Sequence, residues 1–180
     1  VLNNSTSFGY IDELLISTSS TERIAVAAPT LATTLANFDG ISPAATTDFG
    51  ATQAVVANPY PNGGNTSANV SRIGRTGVNW FEVTKFNIPD FTLLAGETRY
   101  IHVAVNYPAS PVAVIRIDAD LFFGQTDILP VNTYAAASNG HWQDLVFAVT
   151  GGPNGSTVNS LVIAADAGNF GTPPTGTVLN

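Results

Sequence analysis

Two amino acids are missing from this chain altogether, cysteine and methionine. Without cysteine there is no disulfide framework, no thiolate nucleophile and no sulfur ligand for a metal. The missing initiator methionine implies a processed, trimmed or excerpted chain. Histidine is nearly absent. His102 and His141 stand alone, with no H-x-H or H-x-x-x-H spacing to hold zinc. Charge is scarce too: 13 acidic and 6 basic residues in 180 give a net charge of −7, and the basic residues form no cluster. That balance argues against nucleic acid or an anionic membrane as partner. The deficit of Lys, Glu and Leu argues against helices. No apolar run reaches membrane-spanning length, and no signal-peptide pattern is visible. No phosphate-binding glycine loop, nucleophile elbow or triad pattern occurs, so no motif announces an enzyme.

What is present is alternation. Apolar residues are 44% of the chain, enough for one core at this length. Ser, Thr, Asn and Gly replace Lys and Glu at the surface, which suits an extracellular or cell-surface location. The dominant period is two. "RYIHVAVNY" (99–107) sets Ile101, Val103 and Val105 on one face, with Tyr100, His102 and Asn106 on the other. "VAVIRIDADLFF" (112–123) turns Ala113, Ile115, Ile117, Ala119 and Leu121 inward, and "HWQDLVFAVT" (141–150) turns Leu145, Phe147 and Val149 inward. "NSLVIAAD" (159–166) and "GYIDELLIS" (9–17) are apolar runs, the second with imperfect alternation. Further strands are expected at 22–28, 52–57, 69–74 and 78–86. The segment 28–38, with Pro29 and several Thr, reads as loop or edge strand. Between the runs lie Gly, Pro and Asn clusters such as "NPYPNGGN" (58–65) and "TGGPNGS" (150–156), which supply turn geometry. Many short strands with such turns predict an all-β, antiparallel sandwich.

The residues that bear chemistry are sparse. Asp118 and Asp120 are two apart on one strand and share a face, a poor layout for acid and base on opposite sides of a sugar. A solvated strand face accounts for them. Sugar binding would use Trp80, Trp142, Tyr60, Tyr107 and Tyr134 as stacking faces, with Asn79, Gln143 and Arg116 as polar partners. Packing in the core or at its rim is the competing role for each Trp. Calcium would suit the abundant carboxylate, amide and carbonyl oxygens, although no dense D-x-D-x-D-G loop occurs.

The stretch "NFDGISPAATTDFGATQAVVANPYPNGGNTSANVSRIGR" (37–75), followed by "VNWFEV" (78–83), "NGHWQDLVF" (139–147) and "YIDEL" (10–14), resembles a jelly-roll module of secreted surface proteins of Bacteroidetes. The resemblance covers most of the chain, and "NPYPNGGNTSANV" is its most specific part. It implies a sandwich like that of carbohydrate-binding modules, without enzyme activity. It also implies a structural calcium near Asp39 of "NFDG" and Asp12 of "YIDEL", and glycans as one class of partner.

The order of the motifs departs from that family. "YIDEL" should close the module, yet here it comes first. The ending "TGTVLN" repeats the opening "VLN", so joining the ends restores the order, with a hairpin expected across the seam. A circular permutant, a subunit that lends its first strand to a neighbour, or one period of a tandem array would each produce this pattern. Simple fold-back of the strand into its own domain is the fourth alternative. The expected organisation is a closing or donor segment at 1–21 and a jelly-roll sandwich at 22–180. The expected function is a repeating structural unit of a surface filament or adhesin, joined head-to-tail to copies of itself by strand complementation. Tyr10, Ile11, Leu14, Leu15 and Ile16 would carry the junction. The alternative is a carbohydrate-binding module that uses Trp80, Trp142, Tyr107, Asn79 and Gln143.

Overall fold

The computed structural model describes residues 7–22, 32–61, 65–76, 82–108, 116–118, 128–135, 139–164 and 176–179; for Ser7, 116–118 and 176–179 it describes the backbone alone. Among these residues there is no helix. The strands are β1 (Ser7–Ser17), β2 (Thr33–Ala36), β3 (Ala45–Asp48), β4 (Ala51–Ala57), β5 (Asn69–Arg75), β6 (Val83–Leu93), β7 (Thr98–Asn106), β8 (Arg116–Asp118), β9 (Gln143–Gly151), β10 (Ser156–Ala164) and β11 (Gly176–Leu179).

They form two sheets that pack face to face as an all-β sandwich. The larger sheet runs β11-β9-β7-β1-β5-β4, with β2 added on β1, and the smaller runs β3-β6-β10-β8. Pairing is antiparallel except between β11 and β9. Between the sheets, alternate residues interdigitate. Ile11, Leu14, Ile16, Ile73, Ile101, Val103, Val105, Leu145, Phe147 and Val149 from the larger sheet meet Phe86, Ile88, Leu93, Val158, Leu161 and Ile163 from the smaller. The inward set expected at 99–107 and 141–150 is the one observed.

Three expectations need correction. The strand expected at 78–86 starts at Val83 and runs on to Leu93, carrying Pro89. His102 and Asn106, expected on an outward face, do point away from the sandwich core but are fully buried. Ser17, Ser19 and Asp144 close around His102 on that face, so the period was right and the exposure was not. The hairpin expected across the seam is absent. β11 runs parallel to β9, which is antiparallel to β7, which is antiparallel to β1, so β11 and β1 are parallel with two strands between them. A join of five residue steps reaches at most about 18 Å. Returning from the end of β11 to the start of β1 means crossing a whole strand of roughly 35 Å. The strand expected at 22–28 lies almost entirely outside the described residues, as does most of 112–123.

Candidate functional site

The site of interest is β1 and the side chains that hold it. β1 is central: β5 pairs along its first half, β7 along most of its length, and β2 joins near its end. Its imperfect alternation has a structural cause. Against β7 the register shifts between Asp12 and Leu15, so that β1 carries one residue more than its partner. Glu13 takes up the extra residue in the left-handed region, at φ 46°, the mark of a β-bulge. The bulge moves the inward parity from Ile11 to Leu14 and Ile16, and all three lie in the core at 3% exposure or less. Tyr10 and Leu15 lie on the opposite face. At about 2 kcal/mol for each fully buried aliphatic side chain, the three inward residues contribute roughly 6 kcal/mol.

Around the bulge, two carboxylates organise one loop. Asp12 is fully buried, and its Oδ2 accepts from Asn65 Nδ2 at 2.8 Å. Its Oδ1 has no partner of hydrogen-bonding geometry. Burial pushes this carboxyl up to about 6, while Ser67, Asn65 and the Glu13 backbone offset part of that rise. Asp39 is exposed and accepts from the backbone N–H groups of Ala68 and Asn69, at 3.0 and 2.7 Å, and from Asn69 Nδ2. Those N–H groups hold its carboxyl below the ordinary range. Asn58 and Asn65 each form a local turn, their side-chain oxygens accepting from the N–H of Tyr60 and Ser67. Asn58, Asn65 and Asn69 therefore stitch the described parts of the connection between β4 and β5, and Asp12 and Asp39 pin it from outside.

That arrangement decides how the residues meet the calcium expectation. Asp12 and Asp39 serve the same loop, and three of their four oxygens accept from N–H groups, Asp12 Oδ1 being the exception. Among the described residues, no group of three or more acidic or histidine side chains is placed to hold a metal ion. Calcium takes six to eight oxygens, carbonyl and amide oxygens among them, of which Asp12 and Asp39 would supply only a part.

Two of the aromatic candidates, Trp142 and Tyr107, are buried. Trp142 is 8% exposed and donates its indole N–H to the Tyr60 carbonyl at 2.9 Å. It packs with Val70 and Ala104 under Tyr10 and Tyr60. Tyr107 is in the core, edge-on to Tyr134 at 5.4 Å between centroids. Gln143 spends its amide on both backbone groups of Ala135. Trp80 and Asn79 lie outside the described residues. Trp142 and Tyr107 were expected as binding faces. Both are buried, Trp142 on the outer face of the larger sheet beneath Tyr10 and Tyr60, and Tyr107 in the core against Tyr134.

One constellation escaped the sequence reading. Ser17 Oγ lies 3.0 Å from His102 Nε2, and His102 Nδ1 lies 2.8 Å from Asp144 Oδ2. Ser17 and His102 are fully buried and Asp144 nearly so. These are the distances of a nucleophilic triad, but the surroundings are not those of one. Nε2 also lies 2.9 Å from the carbonyl oxygen of Ser19. The Ser17 hydroxyl donates to Ser19 O and accepts from Ser19 N in a tight local turn. No substrate could reach it without unseating the strand. The three residues come from positions 17, 102 and 144, and only the pairing of β1, β7 and β9 brings them together. No linear motif could have shown them.

No family model matches this chain, and no curated protein or solved structure compared with it matches either.

Proposed function

We propose that this protein is a structural module of an extracellular or cell-surface assembly, built from copies of itself that join by exchanging β1. The sandwich is read as a jelly roll, in line with the resemblance to Bacteroidetes surface modules. The observation that carries the proposal is the position of β1. It fills the middle of the larger sheet and hydrogen-bonds to neighbours on both sides. If β1 left, the sheet would split into β5-β4 and β7-β9-β11, with two bare edges and an open core. Such a slot can be refilled only by an equivalent strand.

In the isolated chain the slot holds the chain's own β1, so assembly proceeds by exchange rather than by capture into a standing groove. In the sequence, 15 residues (18–32) separate β1 from β2. Reciprocal exchange closes a dimer, and serial exchange gives an open filament. The net charge of −7 keeps separate copies apart until strands cross over.

The test is a mass measurement in solution by light scattering behind size exclusion. The full chain is measured across a range of concentrations, and again after refolding at high concentration. The expected result is discrete multiples of the 18.7 kDa chain, enriched by concentrated refolding. A single-chain mass under every condition would overturn the proposal.

A further inference from the structure

We propose that Ser17, His102 and Asp144 form a latch that holds the end of β1 in its own sheet and so sets how readily the strand is released. The inference deepens the reading of β1 as the exchanged element, and it rests on geometry that reading does not use. The three residues lie on three neighbouring strands, β1, β7 and β9, and tie them together across the sheet. Ser17 is the last residue of β1, so the latch closes immediately before the segment that leads to β2.

The chemistry suits a latch. His102 is oriented by Asp144 from one side and reaches Ser17 Oγ and the Ser19 carbonyl from the other. With Nδ1 against the Asp144 carboxylate and Nε2 against Ser17 Oγ and the Ser19 carbonyl, both ring nitrogens have partners at hydrogen-bonding distance. Ser17 and Ser19 are fixed in turn by two hydrogen bonds to each other. His102 is fully buried, so water does not replace a lost partner while the strand is docked. Breaking the latch therefore penalises the docked state of β1 specifically. The smaller sheet, β3-β6-β10-β8, contributes no residue to it.

The test is amide hydrogen exchange of the full chain, comparing the parent with Ser17→Ala, His102→Gln and Asp144→Asn. The latch predicts that amides at 11–17 exchange about tenfold faster or more in each variant, with those at 156–164 unchanged. Equal acceleration in both segments would mean that the residues merely support the whole fold. No acceleration at 11–17 would mean that they hold nothing. Either result overturns the proposal. Ser17→Ala removes a single hydroxyl and keeps the test available if the His102 variant fails to fold. A chain that loses protection at 11–17 yet keeps a single-chain mass retains the latch and removes the exchange reading.

Discussion

At the scale of the residue, the most informative group is Asp12. It is an acid placed in the middle of a central strand, fully buried, with one oxygen bonded to Asn65 and the other without a partner. Its folded value of about 6 lies above the ordinary Asp value of 3.8. Folding therefore favours the protonated form. The contribution from Asp12 is fully present below about pH 4 and is lost as the pH rises through about 6. Replacing Asp12 by Asn removes the charge and keeps an acceptor for Asn65. It also sets an amide beside Asn106, the diagonal neighbour across β7, whose side-chain oxygen is unpaired. Asp12→Asn is expected to stabilise the protein at pH 7–8 by up to about 3 kcal/mol. It should also flatten the dependence of stability on pH between 4 and 6. Denaturant titrations at several pH values read both effects. "YIDEL" displayed this acid openly in the sequence. Its burial was not legible, because burial depends on the 58–67 loop folding over the outer face of the sheet.

At the scale of the element, β1 shows what a period can and cannot reveal. The inward sets at Ile101, Val103 and Val105, and at Leu145, Phe147 and Val149, follow simple alternation and were legible residue by residue. β1 breaks alternation at Asp12–Glu13 because it carries a bulge. The sequence showed the irregularity without its cause, since a bulge is defined by the partner strand. β10 also changes parity, but there the two extra residues lie on its partner: β10 takes two steps from Val158 to Ser160 while β6 takes four from Phe91 to Asn87, and the inward parity passes from Val158 to Leu161 and Ile163. Leu14 is the first inward residue after the bulge in β1 and is wholly buried. Leu14→Ala is expected to cost about 2–5 kcal/mol in denaturant unfolding. A cost well below about 1 kcal/mol would show that Leu14 does not face the core as the bulge requires. The triad-like geometry at the end of β1 was invisible in sequence for a related reason. It joins residues on three strands whose order in the sheet is not their order in the chain.

At the scale of the whole molecule, the sandwich follows from composition and period, whereas the place of the first strand does not. An apolar chain with few charges, alternating residues and Gly, Pro and Asn turns has few ways to bury its surface. The departure of "YIDEL" from the expected motif order directed attention to the strand that turned out to be central. The structure replaces the expected hairpin across the seam with parallel strands separated by β9 and β7. Under the proposed reading, β1 reaches a second copy by leaving its own sheet rather than by a hairpin across that seam.

The exchange of β1 between copies is the central claim, and the cysteine-free sequence offers a direct test. Tyr10 on β1 faces Arg72 on β5 as an antiparallel pair, a spacing that a disulfide can bridge. One chain would carry Tyr10→Cys and another Arg72→Cys. The two would be mixed, refolded together at high concentration and oxidised. The doubly substituted chain serves as the internal control. Exchange predicts a disulfide-linked pair containing one chain of each kind, resolved by mass under denaturing conditions. If the mixture yields no mixed pair while the doubly substituted chain cross-links within itself, β1 stays in its own sheet and the account is contradicted.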